Sequence, residues 1–165
     1  MLSQAQGMRM ASSIFHNNTA GDHAGGCALV APADSTGITI SQSIFDSNKA
    51  GMHAGLKVDG HHGVHLVDSA FQGNNATSSA GGGFSVLASD VITLINCSIH
   101  HNVAKDYAGG SLMSSVTDVM INDSHVSLNV AGTDGGGLHF ADSAQVTIGS
   151  TVVNENIAGL SGGGA

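Results

Sequence analysis

Residues 43–50 read Ser43-Ile44-Phe45-Asp46-Ser47-Asn48-Lys49-Ala50, and the same frame returns along the whole chain. It is Ser13-Ile14-Phe15-His16-Asn17-Asn18-Thr19-Ala20 on one side and Ser69-Ala70-Phe71-Gln72-Gly73-Asn74-Asn75-Ala76 on the other. Three looser copies follow, centred on Ile99 with Asn102, Val126 with Asn129, and Val153 with Asn156. Successive asparagines Asn18, Asn48, Asn74, Asn102, Asn129 and Asn156 are 30, 26, 28, 27 and 27 residues apart. Each has a large apolar residue three before it, an alanine two after it and a small residue five before it. Seven after each stands a glycine: Gly25, Gly55, Gly81, Gly109, Gly136 and Gly163. Self-similarity at such a period marks a solenoid or array.

Two more short segments belong to each copy. Ten to eight residues before the asparagine the chain reads apolar, variable, apolar, as in Ile38-Thr39-Ile40 and Ile92-Thr93-Leu94. That alternation is a strand with one buried face. A third apolar segment follows the glycines, as in Phe84-Ser85-Val86 and Leu138-His139-Phe140. The leucine ladder of a leucine-rich repeat, the GGxGxD runs of calcium-binding nonapeptides and any sustained helical period are missing. The pattern predicts an all-β, right-handed parallel β-helix of about six rungs, with three short strands per rung. In such a stack Phe15, Phe45 and Phe71 form an internal column. The asparagines bond one another at an inward corner through paired amide donors and acceptors. The glycines are expected to supply positive φ and close backbone approach at another corner.

Domain organisation follows from the phase: a lead over residues 1–7, then a single solenoid over 8–165. The first rung opens on Met8 and Met10, and the last runs out at Gly162-Gly163-Gly164-Ala165. Solenoids use polar caps and bare strand edges template pairing. The expectation is a segment of a longer β-helix, or a chain whose ends stack on copies of itself.

Composition narrows the function. Net charge is −8 with only 4 Lys+Arg, too few and too scattered to displace counterions from a nucleic-acid backbone or an anionic membrane. No stretch reaches the length of a membrane-spanning helix. The cysteines, Cys27 and Cys97, lie about three rungs apart, beyond disulfide reach, and read as small buried hydrophobes.

The FxxN and GG[AGILV] signatures, Phe15-His16-Asn17-Asn18 with Gly25-Gly26-Cys27 and Phe71-Gln72-Gly73-Asn74 with Gly81-Gly82-Gly83, resemble the repeats of chlamydial polymorphic outer-membrane proteins. They are also similar to pectin-lyase-like β-helices. The resemblance covers nearly the whole chain and implies an extracellular or cell-surface structural or adhesive module. Its partners would be adjoining rungs or copies stacked end to end, a surface polysaccharide or a protein receptor. The rival is a carbohydrate-active enzyme whose catalytic residues lie elsewhere.

Ten histidines are the most unusual polar feature. His61, His62 and His65 form one possible surface patch, and His100, His101 and Asp106 a second. The column His16, Asp46, Gln72, His100, Ser127 and Asn154 is expected to face outward. Glycosidic hydrolysis needs two carboxyls at set separation, and no column stacks them. Trp is absent and Tyr107 is the only tyrosine. No catalytic residue, metal ligand or cofactor is assigned from the sequence.

Overall fold

The structure, a computed structural model, describes residues 7–165, with the side chains of 31–36 left aside. The expected lead, Gly7 apart, lies outside the described residues. Among these, every regular element is a strand, and every strand pairs in parallel with its counterpart one rung away.

A full rung has four segments, one more than the sequence indicates. The opening strand is Met8–Ala11, Asp90–Ile95, Thr117–Asn122 or Val146–Gly149 in rungs one, four, five and six. The second strand is Ile14–His16, Ile44–Asp46, Ala70–Gln72, Ser98–His100, His125–Ser127 or Val152–Asn154. The additional segment is the third, a two-residue strand: Lys49–Ala50, Asn75–Ala76, Val103–Ala104, Val130–Ala131 and Ile157–Ala158. The fourth strand is Phe84–Leu87, Ser111–Ser114 or Leu138–Ala141 in rungs three to five. In the first two rungs it continues into the next opening strand, as Cys27–Ser41 and Leu56–Val67. The solenoid makes about five full turns rather than six. Opening and second strands recur in all six copies, but third and fourth strands in five each.

The core follows from side-chain alternation. Ile38, Val64, Ile92 and Val119 stack in one inward column, and Ile40, Leu66, Leu94 and Ile121 in the next, all essentially inaccessible to solvent. The rings of Phe15 and Phe45 lie 4.8 Å apart and 3° from parallel, those of Phe45 and Phe71 5.0 Å and 7°. These separations match the spacing of hydrogen-bonded strands. Phe84 reaches across from the fourth strand onto Phe71 at 4.8 Å.

The asparagine column closes the inward corner. Asn102 Nδ2 donates to Phe71 O at 2.8 Å and to Asn129 Oδ1 at 2.9 Å. Its Oδ1 accepts from the backbone N and the Nδ2 of Asn74 at 3.0 and 2.9 Å. The same pattern runs from Asn18 to Asn156, and Asn48, Asn74, Asn102 and Asn129 have no exposed surface. A second polar corner lies five residues earlier, where Ser69 Oγ accepts from Ser43 N and donates to Val67 O. Cys97 occupies the same place, with its Sγ turned to Leu66 O, and both cysteines are free.

The corners turn on left-handed residues, mostly not glycine. The position before each column asparagine has φ between 55° and 62° in all six rungs: Asn17, Ser47, Gly73, His101, Leu128 and Glu155. The position six before the asparagine is left-handed too, with φ between 45° and 52°: Ser12, Gln42, Asp68, Asn96, Asp123 and Ser150. A third such column, eleven before, reads Gly7, Gly37, Gly63, Val91, Asp118 and Gln145. The expectation that the Gly25 column supplies positive φ is therefore corrected. Of those six glycines only Gly81 has it. The others answer to space: a Cβ on Gly55 would sit 2.0 Å from Gly83 O, and one on Gly109 2.5 Å from Gly136 O.

Constant spacing also fails locally. Nine residues separate the asparagine from the first residue of the fourth strand in rungs one, four and five, but eight in rung two and ten in rung three. Gly55 thus lies level with Gly26 and Gly83, whereas Gly81 lies level with His53 and Ala108.

Candidate functional site

The fourth strand presents an outward column of Ala28, Lys57, Ser85, Leu112 and His139. Such residues should face solvent. Instead Ser85 and Leu112 are buried, because the loop after each two-residue strand folds back over them. A left-handed residue makes that fold possible in every rung: Ala24, His53, Gly81, Ala108, Gly135 and Gly162. Ala80, Ala108 and Leu112 pack there as a small satellite core with Leu87.

Between loops and strand face runs a groove of about 390 Å³, lined by Met52, His53, Ala80, Leu87, Tyr107, Leu112, Ser114, Asp134, His139 and Ala141. A second cavity of about 380 Å³ shares Asp134 and His139 and continues to Phe140 and Ser161. The groove is thus an apolar floor with one tyrosine, two imidazoles, one hydroxyl and one carboxylate, the mixture expected of a ligand pocket. Tyr107 comes from a loop and His139 from the next rung's strand, and their rings meet at 5.3 Å. The His139 side chain lies against Gly135, where a Cβ would come within 2.6 Å of it.

At the far end His53 is almost fully buried. Its Nδ1 is 2.7 Å from Ser85 Oγ and its ring stacks on His23 at 5.6 Å. Burial, reinforced by the charge of Lys57 and by His23, pulls its pKa down to about 4. Lys57 is paired with Asp59 at 3.0 Å.

The histidines singled out from the sequence scatter. His61 is not on the surface: it is buried at an inner corner, level with Ser89 and Val116, and among the described residues neither ring nitrogen has a partner. Desolvation lowers its pKa. His62 is exposed, 3.3 Å from Asp90. His65 is half-buried in the outward column between Thr39 and Thr93. These three do not form one patch, because alternation and the corner send neighbours to different sides. His100 and His101 do meet, with Nδ1 atoms 2.9 Å apart, and burial together with His101 and His125 lowers the His100 pKa. Asp106 is not part of that pair. It sits in the loop over the fourth strand, and no ion pair joins it to either histidine among the described residues. The column from His16 to Asn154 lies on the outer side of the second strand, where His16 pairs with Asp46 at 3.0 Å. Among the described residues no three His, Cys, Asp or Glu side chains are grouped to hold a metal ion.

The groove was invisible in the repeat alignment. Its polar residues come from two parts of the repeat: His53, Tyr107 and Asp134 from the loop, Ser114 and His139 from the fourth strand. The one available signal was the polar and aromatic content five residues after each asparagine, as at His23, His53, Tyr107 and Asp134.

An unbroken parallel solenoid with an internal asparagine ladder defines the class as a β-helix repeat protein. Residues 34–164 match the family described as right handed beta helix region, and the chain belongs to that family. No curated protein and no solved structure matches it.

Proposed function

We propose that the chain is a rigid rod segment of an extracellular or cell-surface protein, built to space and present surfaces for adhesion. The observation that carries this reading is the amide ladder from Asn18 to Asn156, in which each of the four interior side chains bonds both the backbone and the next asparagine. Such a ladder couples every rung to its neighbours, so the solenoid resists bending and local opening. Resemblance to outer-membrane repeats supports the location. Partners would be further rungs or copies stacked end to end, or a surface polysaccharide or protein receptor. Surface proteolysis of intact source cells, followed with an antibody against the chain, tests the location. Protection from protease until the cells are lysed would refute it.

The groove favours a second reading, a polysaccharide-binding segment. Tyr107, Ser114, Asp134 and His139 converge over an apolar floor, which suits the polar edge and apolar face of a sugar ring. A panel of neutral, acidic and amino polysaccharides, scored separately for binding and for cleavage, distinguishes a binding rod from an enzyme.

A further inference from the structure

We propose that the groove beside the fourth strand selects a ring-bearing ligand with a protonated primary amine, an amino sugar, over its neutral and acidic counterparts. The inference rests on the polysaccharide-binding reading and specifies the ligand.

Charge makes the first argument. Among the described residues that line the groove Asp134 is the only carboxylate, and none is Lys or Arg. The lysine in the outward column of the fourth strand, Lys57, is paired with Asp59 at 3.0 Å. Asp134 enters no ion pair among the described residues. The whole chain carries a net charge of −8, which raises the local concentration of cations and repels uronates.

Shape makes the second. Tyr107 keeps more than a third of its surface open while its ring leans on His139 at 5.3 Å. The pair offers a π face for an ammonium and a flat wall for a ring, beside the carboxylate. Leu87, Leu112 and Ala141 form the floor that the ligand's apolar face would cover. A cavity of about 390 Å³ is the size of a small ligand site. The pocket asks for a cation on a compact body. A lysine side chain brings the cation on a thin flexible stem, which leaves the floor uncovered.

The test is an NMR titration of the full chain at neutral pH with glucosamine, glucose, glucuronate and lysine amide. Glucosamine is expected to move the amide signals of Tyr107, Asp134 and His139, and to bind about tenfold more tightly than glucose or glucuronate. Asp134→Asn should erase that preference without moving the melting temperature, and Tyr107→Leu should weaken all three sugars, glucosamine most. Equal affinity for glucose and glucosamine at the same residues would overturn the amine selectivity and leave the polysaccharide reading standing. Lysine amide binding as tightly as glucosamine would overturn the sugar and point to a basic peptide. No response to any of the four sugars or amines would overturn both.

Discussion

His53 and Ser85 meet through a 2.7 Å contact between Nδ1 and Oγ, one residue on a loop in the left-handed conformation and the other on the outer face of a strand in the next rung. Both are buried: the contact closes the groove end, and burial holds the imidazole in its neutral form.

That burial makes stability depend on pH. The unfolded chain takes up a proton at an ordinary imidazole value near 6.5, whereas the folded chain refuses it until about 4. Between those values the unfolded state holds more protons, so stability falls as pH falls through the interval and levels off below it. The full effect is on the order of 3 kcal/mol. His53→Asn, which tolerates the left-handed backbone, should flatten the dependence. Urea melts across this range with identical slopes for both proteins would contradict the assignment.

Asn102→Ala removes two donated and two accepted bonds from an inaccessible corner. The expected loss is about 1–3 kcal/mol, from backbone groups of Phe71 and Asn74 left unpaired. Phe45→Ala, which breaks the ring stack on both sides, should lose more, roughly 3–5 kcal/mol. Equilibrium unfolding reads both, and an unchanged Asn102→Ala midpoint would show that the ladder is dispensable.

Val91 sits at φ 45° in a column where the first three rungs carry glycine. A β-branched residue is strained there by roughly 1–2 kcal/mol. Val91→Gly relieves the strain but loosens the unfolded chain, leaving a net gain of about 0.5–1 kcal/mol. Val91→Asn should also gain. A lower melting temperature for both variants would refute the strain.

Both ring nitrogens of His61 are buried with no partner among the described residues, at a corner where the next two rungs carry Ser89 and Val116. His61→Leu fills similar volume without the polar atoms and should stabilise by about 1–2 kcal/mol. It should also remove a second source of acid sensitivity, since the buried ring resists protonation. Destabilisation by this variant would mean that the imidazole is satisfied in solution.

What could be read from the sequence follows from how each column is held. Asn48 and Asn74 answer the same hydrogen-bonding demand in every rung, so one residue type recurs and the ladder shows at once. The Phe45 and Phe71 column shows for the same reason, and Ile99 and Val126 keep its place with smaller side chains. The two-residue strand at Lys49–Ala50 escapes notice because alternation needs more than two residues to register. The left-handed columns escape because Ser, Asp, Asn, Gln, Leu and Glu all occupy them. The groove escapes for a different reason. Rung two is one residue short before its fourth strand and rung three one residue long, so fixed offsets align Gly55 with Gly81 although the fold separates them. His61, His62 and His65 looked like neighbours because they are close in sequence, which a corner between strands undoes.

The short second rung and the long third rung lie side by side, yet the walls built on Phe45, Phe71, Asn48 and Asn74 stay in step across them. Between these two rungs the slack is therefore taken up along one seam, from the alanine strand to the fourth strand. Insertions or deletions there change the outline of the rod without disturbing its beat. A lineage of such proteins can remodel what this flank touches by altering length alone, and a foreign peptide spliced between Ser78 and Ser79 should be carried as a passenger on an unaltered stack.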